Sequence, residues 1–401
     1  MKAWDVIFSA GEEVIISANN KEILKLLYEE EKVKAKLFCE KLDDPLCLCA
    51  PAQMGEKVIF RLRPARAEII VSGQLLDENW PWGTPDFTDA EICGAAQLVP
   101  SPEEELEPSV TGTFCGAEGW RPEGYGEVFV GDCMPYADGG RYHVLWLWDR
   151  RHHKSKWHRG AHQWAHISTD DLENWQVHPM AVPITEDWEG SICTGSHIRH
   201  GETEYLFYTV RTMDGSPAPL RRSVSRDGYH FEKDAAFSVT LSSRYHGASA
   251  RDPKVVRDAD GLFHMFVTTS LMPEDRGCLA HLISEDLDNW QETAPVYIAP
   301  EGEDQPECSD YFIAGGWHYL ILSHHGKGQY FYSREPFGPW LQAEDNFIPC
   351  RSVPKMAYFN ERIIFTGFTG MGGYAGTMTF TEAFAQADGT LKFKPLFKGE
   401  K

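Results

Sequence analysis

The stretch Arg141-Tyr142-His143-Val144-Leu145-Trp146-Leu147-Trp148 follows a tight polar turn and is rich in aromatic, β-branched and aliphatic residues. The pattern returns four times, in segments anchored at Tyr205, Phe263, His318 and Ile363. Counted from Tyr142, successive anchors are 63, 58, 55 and 45 residues apart. Repeats of this length that are built from short strands are typical of propeller blades. The sequence therefore predicts a five-bladed β-propeller.

A second motif interleaves with the first and predicts a strand, a tight turn containing Asp, and an aromatic residue that opens the next strand. Clear copies occupy residues 166–175, 223–231 and 282–290, and a degenerate copy occupies residues 332–340. The two motifs together predict several antiparallel strands in each repeat, which makes this part of the chain all-β.

The first 100 residues have a different texture and are separated from the repeats by a segment rich in Pro and Glu. Strands are predicted at Glu13–Ser17 and Ala67–Val71, and the Leu-rich stretch Lys21–Glu31 is predicted to be a single helix. We therefore expect a small, β-rich, sandwich-like module at 1–100, a linker at 101–112 and the propeller at 113–401.

The charge balance excludes several classes of partner. With 38 Lys and Arg against 60 Asp and Glu, the formal net charge is −22, which repels nucleic acids and anionic membrane surfaces. A small neutral carbohydrate fits better. A phosphorylated one stays open as well, because the basic segment Arg150–Arg159 is predicted to lie in a loop at the mouth of the cleft. No signal peptide or membrane span is apparent, so a cytoplasmic location is expected. No cofactor and no metal are predicted, and the oligomeric state is left open.

Three acidic residues precede aromatic anchors by nearly equal distances. Asp132 lies ten residues before Tyr142, Asp252 eleven before Phe263, and Glu307 eleven before His318. The three acids thus share one phase of the repeat, and because the innermost strands of a propeller converge on its axis, we expect the carboxyl groups to face one another across a single funnel. Like charges in one cleft raise the pKa of at least one of them. A protonated carboxyl group beside an ionised one is the arrangement that glycoside hydrolysis requires.

The segments that hold these acids resemble a known family. Gly131–Pro135, Arg251–Pro253 and Glu307-Cys308 are similar to the three acidic motifs of glycoside hydrolase family 32, the β-fructofuranosidase, inulinase and levanase group with a five-bladed propeller. Gln163–Ser168 and Cys193–Ser196 are similar to the Trp-Gly-His and Phe-Ser-Gly-Ser segments of that family. The order of the motifs along the chain also agrees.

The resemblance implies roles for the residues that match. Asp132 would be the nucleophile that forms a covalent glycosyl-enzyme, and Glu307 would be the general acid and then the general base. Asp252 would bind sugar hydroxyls and stabilise the transition state, with Arg251 orienting the pair.

The resemblance also implies a pocket for the sugar at the cleaved end. Trp164, Thr194 and Ser196 would line it, and Cys308 would be a packed neighbour of the acid. Two features depart from the family pattern. Phe129–Pro135 lacks the two Asn residues of the usual Trp-Met-Asn-Asp-Pro-Asn-Gly motif, and Leu147 stands where the family usually has Gln.

We therefore expect a retaining glycoside hydrolase that cleaves terminal β-fructofuranosides of the sucrose or fructo-oligosaccharide type by double displacement. One alternative is a related propeller enzyme that acts on arabinofuranosides or another pentoside. Carboxyl groups about 5 to 5.5 Å apart suit retention, whereas ~6.5 to 9.5 Å suits inversion. A second alternative is a sugar-binding propeller without catalytic activity.

Overall fold

The computed structural model describes residues 3–102, 106, 111–114, 119–123, 128–150, 162–350 and 352–397. Within these ranges the regular structure is almost entirely β, with strands numbered β1 to β33 in chain order and one 3₁₀ turn at Gly247–Ser249. No helix in the described residues has the length and apolar character needed to cross a bilayer.

Two five-stranded antiparallel sheets form the region up to Pro100. The first has the order β10-β1-β6-β7-β8 and consists of β1 (Trp4–Ser9), β6 (Lys57–Arg63), β7 (Arg66–Val71), β8 (Gln74–Asn79) and β10 (Ala96–Pro100). The second has the order β5-β4-β3-β2-β9 and consists of β2 (Val14–Ala18), β3 (Lys21–Glu29), β4 (Lys32–Leu37), β5 (Leu46–Pro51) and β9 (Glu91–Cys93). The strands predicted near residues 13–17 and 67–71 are confirmed as β2 and β7.

The helix predicted at Lys21–Glu31 is wrong, because this segment forms β3. Leu24 and Leu26 are fully buried while Lys25 between them is partly exposed, which is the two-residue period of a half-buried strand. Asn19-Asn20 and Glu30-Glu31 adopt positive φ angles and close hairpins at both ends. These turns pair β3 with β2 and β4, so the sheet overrides the helix propensity of Leu and Lys.

Four-stranded antiparallel meanders follow along the chain, each beginning with an inner strand. The first is β13 (Val128–Asp138), β14 (Arg141–Arg150), β15 (Gln163–Thr169) and β16 (Trp175–Val182). The second is β17 (Glu189–His200), β18 (Thr203–Thr212), β19 (Leu220–Ser225) and β20 (Glu232–Lys233). The third is β21 (Arg251–Arg257), β22 (Phe263–Leu271), β23 (Arg276–Ser284) and β24 (Gln291–Glu292), with β25 (Tyr297–Ile298) also paired to β23.

The last two meanders complete the set. The fourth is β26 (Glu307–Ala314), β27 (Trp317–His324), β28 (Lys327–Ser333) and β29 (Leu341–Phe347). The fifth is β30 (Ser352–Phe359), β31 (Arg362–Gly370), β32 (Gly376–Ala385) and β33 (Leu391–Pro395). A hairpin of β11 (Thr111–Phe114) and β12 (Trp120–Glu123) pairs with β32, and β32 also pairs with β13. The first and last meanders are therefore linked through the pair Val130 and Gly376.

The second repeated motif forms the turn between the third and fourth strands of a meander. In the first meander Asp171 Oδ1 accepts hydrogen bonds from the backbone N–H groups of Glu173 and Asn174, at 2.8 and 2.7 Å. Asp227 and Asp286 repeat this arrangement in the second and third meanders. The Asp side chain thus satisfies turn amides that no strand partner reaches, which explains its recurrence in the sequence.

Candidate active site

Every inner strand has a break in register near its first residues, where one extra residue bulges out of the ladder. The breaks lie at Val130/Cys133, Ile192/Gly195, Arg251/Lys254, Glu307/Asp310 and Ser352/Lys355. Bulges bend a strand and redirect side chains. Asp252, Cys308 and Val353 in these bulges adopt φ angles of 55°, 51° and 47°, a conformation uncommon for residues other than Gly. The bulges turn their side chains into a cavity of ≈ 630 Å³.

The three acids line one cavity, but they do not occupy the single phase of the repeat that the anchor spacing predicted. Relative to the break, Glu307 is the last paired residue, Asp252 is the first bulged residue and Asp132 is the second. The offset between Asp252 and Glu307 comes from the length of the turn between the first and second strands. Phe263 pairs with a residue six positions earlier, whereas His318 pairs with one five positions earlier. The acids therefore enter the cavity from three successive levels.

Asp132 is 8 % exposed and is surrounded by hydrogen-bond donors from other strands. Thr194 Oγ1 donates to Asp132 Oδ2 at 2.7 Å, and the Cys308 thiol lies 3.3 Å from the same oxygen. The Tyr374 hydroxyl donates to Asp132 Oδ1 at 2.8 Å. Donors on both oxygens fix the plane of the carboxylate and stabilise its negative charge.

Asp252 lies deeper in the cavity and is 3 % exposed. Its Oδ2 accepts a hydrogen bond from the Cys308 backbone N–H at 2.9 Å and is 3.4 Å from the Cys308 thiol. Burial, together with the charges of Asp132 and Asp252, raises the pKa of Cys308 well above its ordinary value. Cys308 therefore remains a thiol and bridges the two carboxylates as a weak donor.

Glu307 is the most accessible of the three acids, with 44 % of its side chain exposed. The Arg251 guanidinium contacts Glu307 Oε1 at 2.8 Å and lies 3.6 Å from Asp252 Oδ2. Burial opposes the charge on Arg251, but Asp252 and Glu307 outweigh it and raise the Arg251 pKa. Gln305 and the Ser249 carbonyl accept further hydrogen bonds from Arg251 and orient it between the two acids.

The structure brings six of the eight predicted site residues to this cavity, namely Asp132, Thr194, Arg251, Asp252, Glu307 and Cys308. The other two lie outside its lining. Trp164 is fully buried beneath β17 and donates to the Cys193 carbonyl at 2.9 Å. Ser196 donates to the Pro253 carbonyl and accepts from the Val255 N–H, both at 2.9 Å. Trp164 thus fixes β15 to the inner strand β17, and Ser196 joins the inner strands β17 and β21.

Other lining residues were not predicted from the sequence as site residues, and Tyr374 has the closest contact with an acid. It lies in the Gly-rich loop between β31 (Arg362–Gly370) and β32 (Gly376–Ala385). An aromatic residue that closes a Gly-rich loop in the last repeat was the available signal. His162 also lines the cavity, and its Nε2 lies 2.8 Å from Asp149 Oδ1. Leu147 faces the same space.

The predicted basic loop requires a correction at its first residue. Arg150 belongs to β14, is 1 % exposed, and forms ion pairs with Asp77 at 3.1 Å and Glu78 at 3.0 Å. Its charge is therefore used to join β14 to the N-terminal sheets. The rest of the predicted loop, residues 151–159, falls outside the described residues.

Comparison with known proteins identifies similar sequences and folds. Residues 134–340, more than half of the chain, match the family model described as "Glycosyl hydrolases family 32 N-terminal domain". The chain is 27 % identical over 322 residues to sucrose-6-phosphate hydrolase from Escherichia coli, a match that covers 70 % of this chain and 63 % of the relative. It is 31 % identical over 199 residues to sucrose-6-phosphate hydrolase from Bacillus subtilis, covering 47 % of this chain and 39 % of the relative.

Among solved structures, fructan 1-exohydrolase IIa from Cichorium intybus superposes with a TM-score of 0.57 at 17 % identity. The superposition covers 67 % of this chain and 59 % of that one. At this identity the likeness concerns the fold alone, and it supports a propeller-like architecture for the meanders. Each of these matches covers less than two thirds of the other protein's length.

Proposed function

Because this chain belongs to glycoside hydrolase family 32, we propose that it removes terminal β-fructofuranosyl units from substrates of the sucrose or fructo-oligosaccharide type, with retention of configuration. The observation that carries the proposal is the contrast between two acids in one cavity. Asp132 is buried and held by donors on both oxygens, whereas Glu307 is half-exposed and held by one cation. The first arrangement suits a nucleophile and the second suits a group that exchanges protons.

In the first step the Asp132 carboxylate attacks the anomeric carbon while Glu307 protonates the glycosidic oxygen, so the leaving alcohol departs and a covalent ester forms. In the second step Glu307 takes a proton from water, which attacks the anomeric carbon and releases Asp132. The Arg251 guanidinium donates to Glu307 Oε1 at 2.8 Å and so holds this carboxyl group in place for both proton transfers. Asp252 Oδ2 already accepts the Cys308 N–H, which fixes its carboxylate where sugar hydroxyls would bind.

The leaving group would occupy the polar cavity of ≈ 390 Å³ that adjoins Glu307. Its described lining includes three further carboxylates, Asp275, Glu303 and Asp304, and the Arg251 charge is already paired with Glu307. Carboxylates repel a phosphate group and accept hydrogen bonds from sugar hydroxyls. We therefore favour an uncharged leaving group over a phosphorylated one.

The test is release of free fructose from sucrose, an inulin-type oligosaccharide, a levan-type oligosaccharide and sucrose phosphorylated on its glucosyl half, with arabinofuranosides in the same panel. We expect hydrolysis of the fructosides and a higher kcat/KM for sucrose than for its phosphate. Added methanol should capture the intermediate as methyl β-fructofuranoside. Cleavage of arabinofuranosides alone, binding without cleavage, or an inverted product would each refute the proposal.

A further inference from the structure

The Tyr374 hydroxyl reaches the proposed nucleophile from the last meander. It lies 2.8 Å from Asp132 Oδ1, the oxygen opposite the one that Thr194 contacts. The ring is held independently of this hydrogen bond, because it stacks on His162 at 5.7 Å between centroids and meets Phe368 edge-on at 5.2 Å. The hydroxyl is therefore delivered to Asp132 by a side chain whose position is set by packing.

Gly131 provides the space for this contact. A Cβ atom at position 131 would lie 2.9 Å from the Tyr374 hydroxyl oxygen and 3.0 Å from Leu147 Cβ. Real Cβ atoms essentially never approach within 3.0 Å of another heavy atom in this way. Gly131 directly precedes Asp132 in the same bulge, so the residue before the acid leaves room for the Tyr374 hydroxyl that contacts the acid.

The loop that carries Tyr374 is also closed tightly. The Met371 N–H donates to the Ala375 carbonyl at 3.0 Å, and Ala375 adopts a φ of 65°. A Cβ atom at Gly376 would lie 2.1 Å from the Thr369 carbonyl oxygen, so the loop base requires Gly. Gly376 in turn pairs with Val130 of β13. The loop is thus fastened beside the strand that carries Asp132.

Burial and the neighbouring Asp132 charge raise the Tyr374 pKa well above its ordinary value. The phenol therefore remains protonated and acts as a donor.

We propose that Tyr374, admitted by Gly131, is a positioning residue whose hydrogen bond holds the Asp132 carboxylate in one orientation before the sugar binds. The inference rests on the proposed function, since it takes Asp132 as the nucleophile. The hydrogen bond weakens when the carboxylate becomes an ester and strengthens again as the carboxylate leaves. Tyr374 therefore assists the release of Asp132 in the second step as well as its orientation in the first.

The test compares Tyr374→Phe with Tyr142→Phe. The first removes the hydroxyl and keeps the ring contacts, whereas the second removes a fully buried hydroxyl that bonds to Thr366 Oγ1 at 2.6 Å, away from the cavity. We expect Tyr374→Phe to lower kcat/KM by about 10- to 100-fold. We also expect the fall of kcat/KM at acid pH, the acid limb of the profile, to move to higher pH by about one unit, because an ionised carboxylate loses a donor. Tyr142→Phe should leave the acid limb unchanged.

A readout without substrate separates this inference from the proposed function. Carboxyl carbons of ¹³C-labelled aspartate are titrated by NMR, with the Asp132 signal assigned from Asp132→Asn. In Tyr374→Phe this signal should titrate at higher pH than in the wild type, whether or not fructosides are cleaved. An unshifted signal overturns the inference. A shifted signal in a protein that cleaves no fructoside supports the contact and refutes the proposed function.

Gly131→Ala provides a second, independent variant. Its added methyl group should displace the Tyr374 hydroxyl, so it should reproduce the shift in the acid limb. Combined with Tyr374→Phe it should add little further loss, because both changes remove one contact. Full additivity of the two losses in kcat/KM would contradict the proposed pairing.

Discussion

The two ends of the inner strands differ in what their side chains do. Before and within the bulges, the strands present acids and hydroxyls to the cavity of ≈ 630 Å³. Beyond the bulges, the same strands line a second cavity of ≈ 420 Å³ with no residue in common. There Lys254 pairs with Asp310 at 2.5 Å, and the Lys355 ammonium donates to the Gly195 and Ser309 carbonyls at 3.2 and 3.0 Å.

Histidines and aromatic rings extend this second end. His143 Nδ1 lies 3.0 Å from His166 Nε2, and the Tyr136 ring stacks on His197 with centroids 3.7 Å apart. The bulge in each inner strand therefore separates two different side-chain environments. The cavity end holds acids close together for chemistry, and the opposite end uses ion pairs, carbonyl contacts and stacked rings to fix the strands that carry them.

Substitutions of the acids at the cavity end should have the largest effect on activity. Asp132→Asn and Glu307→Gln should each reduce kcat by roughly 10⁴-fold or more, because they remove the nucleophile and the proton donor. Urea unfolding should show a change in stability of less than about 1 kcal/mol, since Glu307 is half-exposed and the Asn amide replaces Asp132 in the same space. Wild-type activity in either variant would contradict the roles assigned to these acids.

The histidines at the opposite end should make stability depend on pH. Burial, followed by the charge of neighbouring histidines or arginine, lowers the pKa of His143 and of His178 to about 4. The unfolded chain binds protons on these groups below its ordinary pKa of about 6.5, whereas the folded protein resists them until about pH 4. The stability they confer is complete above pH 6.5 and falls as the pH decreases toward 4.

The expected loss over that range is on the order of 3 kcal/mol for His143, and it is smaller for the partly exposed His178 because solvent screens its charge. Urea unfolding at pH 7 and pH 4.5 measures this loss, and His143→Gln should reduce the difference in unfolding free energy between the two pH values. His200→Gln, at an exposed position, serves as the control. An equal pH dependence in wild type and His143→Gln would exclude His143 as a source.

Lys355→Met tests the opposite end at a single contact. Lys355 is 3 % exposed, so its loss leaves two buried carbonyl groups without a donor, which costs about 1–3 kcal/mol of unfolding free energy. We expect kcat/KM of the folded variant to change by less than about tenfold. A loss of activity comparable to that of Asp132→Asn, at unchanged stability, would remove the distinction between the two ends.

The fold class was predictable because the repeats are visible as patterns. Aromatic anchors recur at the second strands, and each Asp turn has a local hydrogen-bonding reason. The helix at Lys21–Glu31 was mispredicted because a short run rich in Leu and Lys fits both the 3.6-residue period of a helix and the two-residue period of a strand. The pairing of Leu24 and Leu26 with β2 and β4 decides in favour of a strand, and this pairing depends on residues outside the segment.

The identities of the acids were predictable, and their relative levels were not. A count from the anchor assumes equal turn lengths, whereas the turn before Phe263 is one residue longer than the turn before His318. Tyr374 was missed as a contact of Asp132 because 242 residues separate them and the closing of the ring of strands brings them together. Trp164 and Ser196 lie near the acids in the repeat, but their side chains point into the strand packing.

The ion pairs of Arg150 show how the N-terminal sheets and the meanders fold. Arg150 crosses from β14 to Asp77 and Glu78, and the Trp82 indole donates to the Glu189 carbonyl at 2.9 Å. One continuous set of buried side chains includes Val6 and Phe60 of the N-terminal sheets with Leu145 and Val210 of the meanders. We therefore expect the two regions to unfold in one cooperative transition, because unfolding of the N-terminal sheets would expose the apolar side chains of β14 that pack against them and so destabilise its neighbour β13.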